Sequence, residues 1–303
     1  VRTAARIAAT VGGEVFAERT PARIDRAPDV PAVRPVPYFP EDVLRVLDGF
    51  SDLVLVGART PVSFFGYQGL PSYPVPDGVQ VHTLADVEQD AVEALRALAE
   101  ATGSAATEVP LPAPPEVSVP DGALTAAGIA AAIVSTQPEG AIVVNEGVSS
   151  GAAYPALAAA APAHSELTNT GGAIGMGIPV ATGAAIACPD RPVIGFQADG
   201  SAAYSLQALW TQAREQLDVT TVICANSRYA ILRAELRRAG IDQPGPAAAG
   251  MTDLTGPAVD WVAAAQGFGV PATRATTGAE LIDALRRAHA EPGPHLVEAV
   301  LWA

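Results

Sequence analysis

Apolar runs of strand length and apolar stripes of helical spacing alternate along this chain. The runs fall at 53–57, 79–82, 140–144, 192–196, 219–224 and 295–300, with a shorter one at 14–17. Most are nearly free of polar residues, as in parallel strands buried on both faces. Helical spacing marks 2–10, 41–47, 86–101, 125–136, 177–187, 229–238, 257–266 and 279–290. In the third of these the stripe is Val87, Ala91, Ala94, Leu95 and Leu98. Thr125 is placed as an N-cap. Strand–helix alternation of this kind predicts an α/β fold with two open parallel-sheet, Rossmann-like domains. Residues 20–40, rich in Pro and Arg, are expected to be irregular. The loop 61–76 carries Phe64, Phe65, Tyr67 and Tyr73, which either pack over a sheet edge or line a pocket. The stretch 240–255 is rich in Pro, Gly and Ala and is long enough to cover a site.

A cluster of prolines divides the pattern. Pro110, Pro112, Pro114, Pro115 and Pro120 rule out a helix or central strand and stiffen an extended connection. The domains are therefore expected at 1–108 and 122–303, joined by a linker at 109–121.

Composition narrows the chemistry. The chain has 303 residues, 49% of them hydrophobic and 17% charged, which suits two packed domains and argues against disorder. A net charge of −14 disfavours nucleic-acid binding. All 18 basic residues are Arg, so neither a Lys Schiff base nor a phosphate-binding P-loop lysine is available. Cys188 and Cys224 are the two cysteines, and Cys224, inside an apolar run, reads as a small buried side chain. No 18-residue apolar run and no signal-like segment is present, so no membrane association is expected and the cytoplasm is the expected location.

Three segments carry candidate chemistry. Ala198-Asp199-Gly200-Ser201 follows one strand run, and Asn226-Ser227-Arg228 follows the next, with Asp199 and Asn226 27 positions apart. A βαβ unit brings two such strand ends to one sheet edge, where ligands bind. An acid and an amide oxygen meeting there suit a hard divalent cation; an ordinary strand-to-helix turn and a loop amide fit the spacing equally well. Asn145-Glu146 ends a third strand run and leads through Gly147-Val148-Ser149-Ser150-Gly151 into an expected Ala-rich helix. Hydroxyls at a helix start suit a phosphate or plain capping. Thr170-Gly171-Gly172-Ala173-Ile174-Gly175-Met176-Gly177 permits close backbone approach to a ligand.

Together these segments resemble the thiamine-diphosphate-dependent enzymes of the acetolactate synthase and benzoylformate decarboxylase group. Ala198-Asp199-Gly200-Ser201 through Asn226 is similar to that family's Gly-Asp-Gly…Asn-Asn motif. The string from Ala198 to Trp210 is especially like benzoylformate decarboxylase. The resemblance implies a middle domain followed by a diphosphate-binding domain. It implies that Asp199, the Asn226 side chain and the Arg228 carbonyl bind Mg²⁺, which bridges the diphosphate. Asn145, Ser149, Ser150, Gly200, Ser201 and Tyr204 would contact the diphosphate end of thiamine diphosphate. Ile174 would prop the cofactor in a bent form, and the Gly172 carbonyl would accept a hydrogen bond from its amino group. The implied activity is decarboxylation or carboligation of a 2-oxo acid, with a non-catalytic cofactor-binding or scaffold subunit as the alternative.

Two positions depart from the family motif. Ala198 replaces its first Gly and Ala225 its first Asn, which removes a hydrogen bond beside the expected metal ligand. The family's activating glutamate belongs to an N-terminal pyrimidine-binding domain, which is not recognisable here. Glu146 matches the diphosphate side and is not assigned that role. A pyrimidine-binding domain or subunit is therefore the expected partner, in a homo- or hetero-oligomer.

Overall fold

The computed structural model describes residues 1–301. The chain divides into two compact units, one of 1–21 with 29–112 and one of 22–28 with 113–303. The described residues contain strands β1 (Phe16–Ala17), β2 (Arg23–Arg26), β3 (Arg34–Pro35), β4 (Asp52–Val56), β5 (Gln80–Ala85), β6 (Ile142–Glu146), β7 (His164–Thr168), β8 (Val193–Ala198), β9 (Val219–Ala225), β10 (Ala272–Ala275) and β11 (His295–Val300).

In the first unit the parallel pairs β1–β3 and β4–β5 form separate two-stranded ladders. Helix Ala91–Ala101 is started by Asp90, whose carboxylate accepts the N–H groups of Val92 and Glu93. The aromatic residues of 61–76 pack largely on one another and their neighbours: Phe64 stacks on Tyr38, Phe65 meets Phe64 edge-on, and Tyr67 meets Phe39 edge-on.

The second unit is a seven-stranded sheet in the order β10-β11-β9-β8-β6-β7-β2, parallel except for the edge pair β2–β7. Alternate residues of the central strands enter opposite layers. Val143, Ile194, Phe196, Val222 and Val297 pack with the helices Ala126–Thr136 and Gly278–Ala290. Ile142, Val144, Val193, Ile223 and Leu296 face the helices Gly177–Ala187 and Trp261–Gly267. Two buried faces explain why these runs carry no polar alternation. Thr125 caps its helix by accepting the Gly128 N–H at 3.0 Å, as placed from sequence.

Three departures from the expected elements matter. The range 20–40 is not wholly irregular, because Arg23–Arg26 forms the edge strand β2. His164–Thr168 is a strand despite its polar sequence, since His164, Ser165 and Glu166 are buried with partners. The expected Ala-rich helix after Gly147 is instead two single turns, Val148–Gly151 and Tyr154–Leu157, and a 3₁₀ turn. Pro155 is confined to the first turn of a helix, so the segment restarts there rather than running through.

Candidate cofactor site at the carboxyl edge of the sheet

Strands β6, β8 and β9 end on one edge of the sheet, where the order of the strands reverses. β6 leads to β7 on one side, while its other neighbour, β8, leads away to β9. The loops leaving β6 and β8 therefore diverge, and open α/β sheets bind ligands in the crevice between such loops.

Ala198 and Cys224 form the last rung between β8 and β9, so Asp199 and Asn226 emerge side by side from adjacent strands. Asp199 is 3% exposed. Its Oδ1 accepts the Gly200 N–H at 2.8 Å and its Oδ2 accepts the Ser227 N–H at 2.6 Å. Burial pushes this carboxyl upward, and only backbone N–H groups oppose the shift. Asn226 Oδ1 accepts the Arg228 N–H at 3.0 Å, and the Arg228 carbonyl accepts the Ala230 N–H at 3.0 Å. Between them Ser227 holds a left-handed backbone with φ 56°. The stretch expected as a loop cover contains the helix Pro246–Met251 and is tied to this turn. Its Thr252 carbonyl accepts the Tyr229 N–H, and its Leu254 N–H donates to the Ser227 carbonyl, each at 2.9 Å.

Across the crevice, Asn145 and Glu146 end β6. Glu146 is 2% exposed and accepts three backbone N–H groups: Gly175 and Met176 at Oε1, 2.9 and 3.1 Å, and Gly177 at Oε2, 2.9 Å. It suspends the glycine-rich loop from the sheet and caps the helix Gly177–Ala187. Gly172, at φ 65°, is exposed in that loop, and Ile174 is half-buried. Val148, next along from Gly147, is exposed at φ 47°, a strained conformation for a β-branched residue.

Not every hydroxyl expected to face the ligand does so. Ser149 is exposed. Ser150 is buried and hydrogen-bonds the Cys224 thiol, which burial pushes far upward. Ser201 Oγ donates inward to the carbonyls of Ala198 and Glu146, at 3.1 and 3.2 Å. Tyr204 is 61% exposed and hydrogen-bonds the Tyr229 hydroxyl. Close packing fixes both tyrosines. A Cβ on Gly175 would lie 2.7 Å from Tyr204 Cβ, and one on Gly200 would lie 2.5 Å from the Tyr229 ring.

The family described as thiamine pyrophosphate enzyme, C-terminal TPP binding domain, matches residues 147–299, just over half of the chain. The chain belongs to the thiamine pyrophosphate enzymes. It is 48% identical, over 98% of its length, to a Mycobacterium tuberculosis protein named as an acetolactate synthase large subunit, and covers 58% of that protein. It is 33% identical to Pseudomonas aeruginosa benzoylformate decarboxylase over 84% of its own length and 49% of the relative's. Among solved structures, a Rhodococcus jostii thiamine diphosphate-dependent 4-hydroxybenzoylformate decarboxylase superposes with a TM-score of 0.81 at 26% identity, covering 99% of this chain and 58% of that one. The chain thus spans about half to three-fifths of the length of these relatives.

In this member of the thiamine pyrophosphate enzymes, sequence reasoning missed Ser227 and Tyr229 as parts of the crevice wall and Glu146 as the anchor of the glycine-rich loop. A tyrosine three residues after Asn226 was the readable sign of the first group. Glu146 gave no such sign, because its partners are backbone N–H groups 29 to 31 residues away.

Proposed function

We propose that this chain carries the diphosphate half of a thiamine diphosphate site and serves Mg²⁺-dependent decarboxylation or carboligation of a 2-oxo acid. The observation that carries the reading is Asp199, a buried carboxylate with no cationic partner among the described residues, at the strand-order switch point. Its neighbours in the turn supply an amide oxygen from Asn226 and the Arg228 carbonyl. This hard-oxygen set suits Mg²⁺, which takes few protein ligands and completes its shell with phosphate and water.

Asp199, Asn226 and Arg228 would hold the metal. Gly200 and the 147–151 turn, with Asn145 and Ser149, would face the diphosphate together with Tyr204, and Ser150 and Ser201 would join them once their inward-turned hydroxyls rotate. Gly172 and Ile174, on the loop hung from Glu146, would position the rings. When bound, the cofactor supplies the nucleophile and the electron sink for the reaction. The side chains on this chain orient it and balance its charge. A pyrimidine-binding half, from residues outside this sequence, completes the site in an oligomer.

The test is equilibrium titration with thiamine diphosphate, with Mg²⁺ or with EDTA, on the parent and on Asp199→Asn. The expected result is Mg²⁺-dependent binding that the substitution weakens about a hundredfold. Parent binding that ignores Mg²⁺ and survives the substitution would overturn the reading. Turnover of pyruvate and benzoylformate, with and without a pyrimidine-binding partner, separates an enzyme subunit from a scaffold.

A further inference from the structure

We propose that Arg26 is a positioning residue for the 147–151 turn, acting through Glu166 and Asn145. The proposal rests on the diphosphate reading of that turn and adds Arg26 and Glu166, two residues that the reading does not use.

The chain of contacts is continuous. Arg26 lies on β2, which joins the sheet antiparallel to β7, with Ile24 opposite Glu166. Its Nε and Nη2 both donate to Glu166 Oε2, at 2.9 and 2.7 Å. The pair is dry, with side-chain exposures of 11% and 1%. Glu166 Oε1 accepts the Asn145 Nδ2 donor at 3.2 Å. This bond fixes which way the amide points, because a carboxylate accepts only. Asn145 Oδ1 is thereby turned to the Gly147 N–H, which it accepts at 3.2 Å.

The turn sits directly on that oxygen. A Cβ on Gly151 would lie 2.4 Å from Asn145 Oδ1. Immediately after Gly147, Val148 holds φ 47°. A strained backbone persists only where its surroundings over-determine it, and the oriented amide supplies such a constraint. A buried ion pair contributes little net stability beside an apolar pair of the same size. Its value here is orientation: the guanidinium fixes the carboxylate, the carboxylate fixes the amide, and the amide fixes the turn.

The experiment compares the parent chain, Arg26→Lys, and the double variant Arg26→Leu/Glu166→Leu. The double variant removes both charges together, so no lone buried charge is left to unfold the protein, and thermal melting confirms the fold. Two quantities are read: amide hydrogen exchange across 147–151, with no ligand present, and the dissociation constant for thiamine diphosphate with Mg²⁺. The expected result is faster exchange confined to the turn and affinity weakened about tenfold or more, the scale of lost outer-sphere support. Arg26→Lys, which keeps the charge but not the two-pronged donor, falls between. Parent-like exchange in the double variant overturns the proposal whatever the affinity does. Faster exchange with parent affinity overturns it too, since the turn then moves without consequence for the ligand. A parent that binds no thiamine diphosphate overturns the diphosphate reading and this inference with it, and the parent titration alone identifies that outcome.

Discussion

Glu146 and Asp199 leave neighbouring parallel strands at the same edge, Glu146 level with Gln197 and Asp199 two residues further on. Both are almost fully buried, and burial pushes both carboxyls upward. Their partners differ. Glu146 accepts three N–H groups from the loop that starts the helix Gly177–Ala187, so protein donors surround it. Asp199 accepts N–H groups from its own turn and from Ser227, beside an amide oxygen and a carbonyl that also accept. Burial alone therefore does not separate the two carboxylates; their partners do, and the proposed reading takes the acceptors beside Asp199 as the ligands of a cation.

Exchanging an oxygen for an amide nitrogen at each position tests that contrast. Asp199→Asn is expected to weaken Mg²⁺-dependent thiamine diphosphate binding by about 3 kcal/mol, read by titration, because the only carboxylate of the set is lost. Its unfolding free energy in urea falls by only about 1 kcal/mol, since Asp199 holds two backbone N–H groups, of Gly200 and Ser227, where Glu146 holds three, and one of the two keeps its acceptor. Glu146→Gln is expected to show the reverse balance at the level of the fold. The new amide nitrogen faces donors, so at least one buried N–H loses its acceptor, and urea unfolding falls by about 2 kcal/mol. A Glu146→Gln protein as stable as the parent would remove the contrast.

A smaller effect is expected where the Glu146-anchored helix begins. A Cβ on Gly177 would lie 2.1 Å from Gln197 Nε2, and Gln197 is fully buried. Gly177→Ala should cost about 1–2 kcal/mol in urea unfolding, as overpacking does. If Glu146 is the anchor, combining Gly177→Ala with Glu146→Gln should cost less than the sum, because both loosen the same junction.

The central strands were legible because burial on both faces leaves apolar runs, and the helices because one face of each is apolar. The Asp199–Asn226 pair was legible because both residues follow such runs directly. β2 and β7 were not legible, and the reason is chemical. Arg23-Ile24-Asp25-Arg26 and His164-Ser165-Glu166 read as surface sequence, yet across the ladder Arg26 neutralises Glu166, which is buried. Hydropathy along a chain registers each polar group and not its partner. The same limit applied to Ser150 and Ser201. Their residue types suit a phosphate, but their hydroxyls satisfy an inward thiol and inward carbonyls, and a sequence does not specify rotamers.

The smallest expected effect is a pH control on the Glu146 measurement. His289 is partly buried, beside Thr220 near the start of β9, at the opposite edge of the sheet from the site. Burial, with the neighbouring His295, lowers its pKa to about 4. The neutral ring is therefore favoured in the folded protein, and its contribution is complete above the ordinary histidine pKa. As pH falls from about 6.5 toward 4, the unfolded chain takes up a proton that the folded chain refuses, and stability declines. Between pH 7 and pH 6 the decline from this one group is about 0.7 kcal/mol. Glu146 and Asp199, raised by burial, act with the opposite sign: their folded forms hold protons more readily, so they favour the folded state as pH falls. His289→Gln should flatten the pH 7 to 6 slope in urea unfolding while leaving thiamine diphosphate affinity unchanged. A decline that persists in His289→Gln would remove His289 as its source, and Glu146 and Asp199 could not replace it, because their raised carboxyls change stability with the opposite sign.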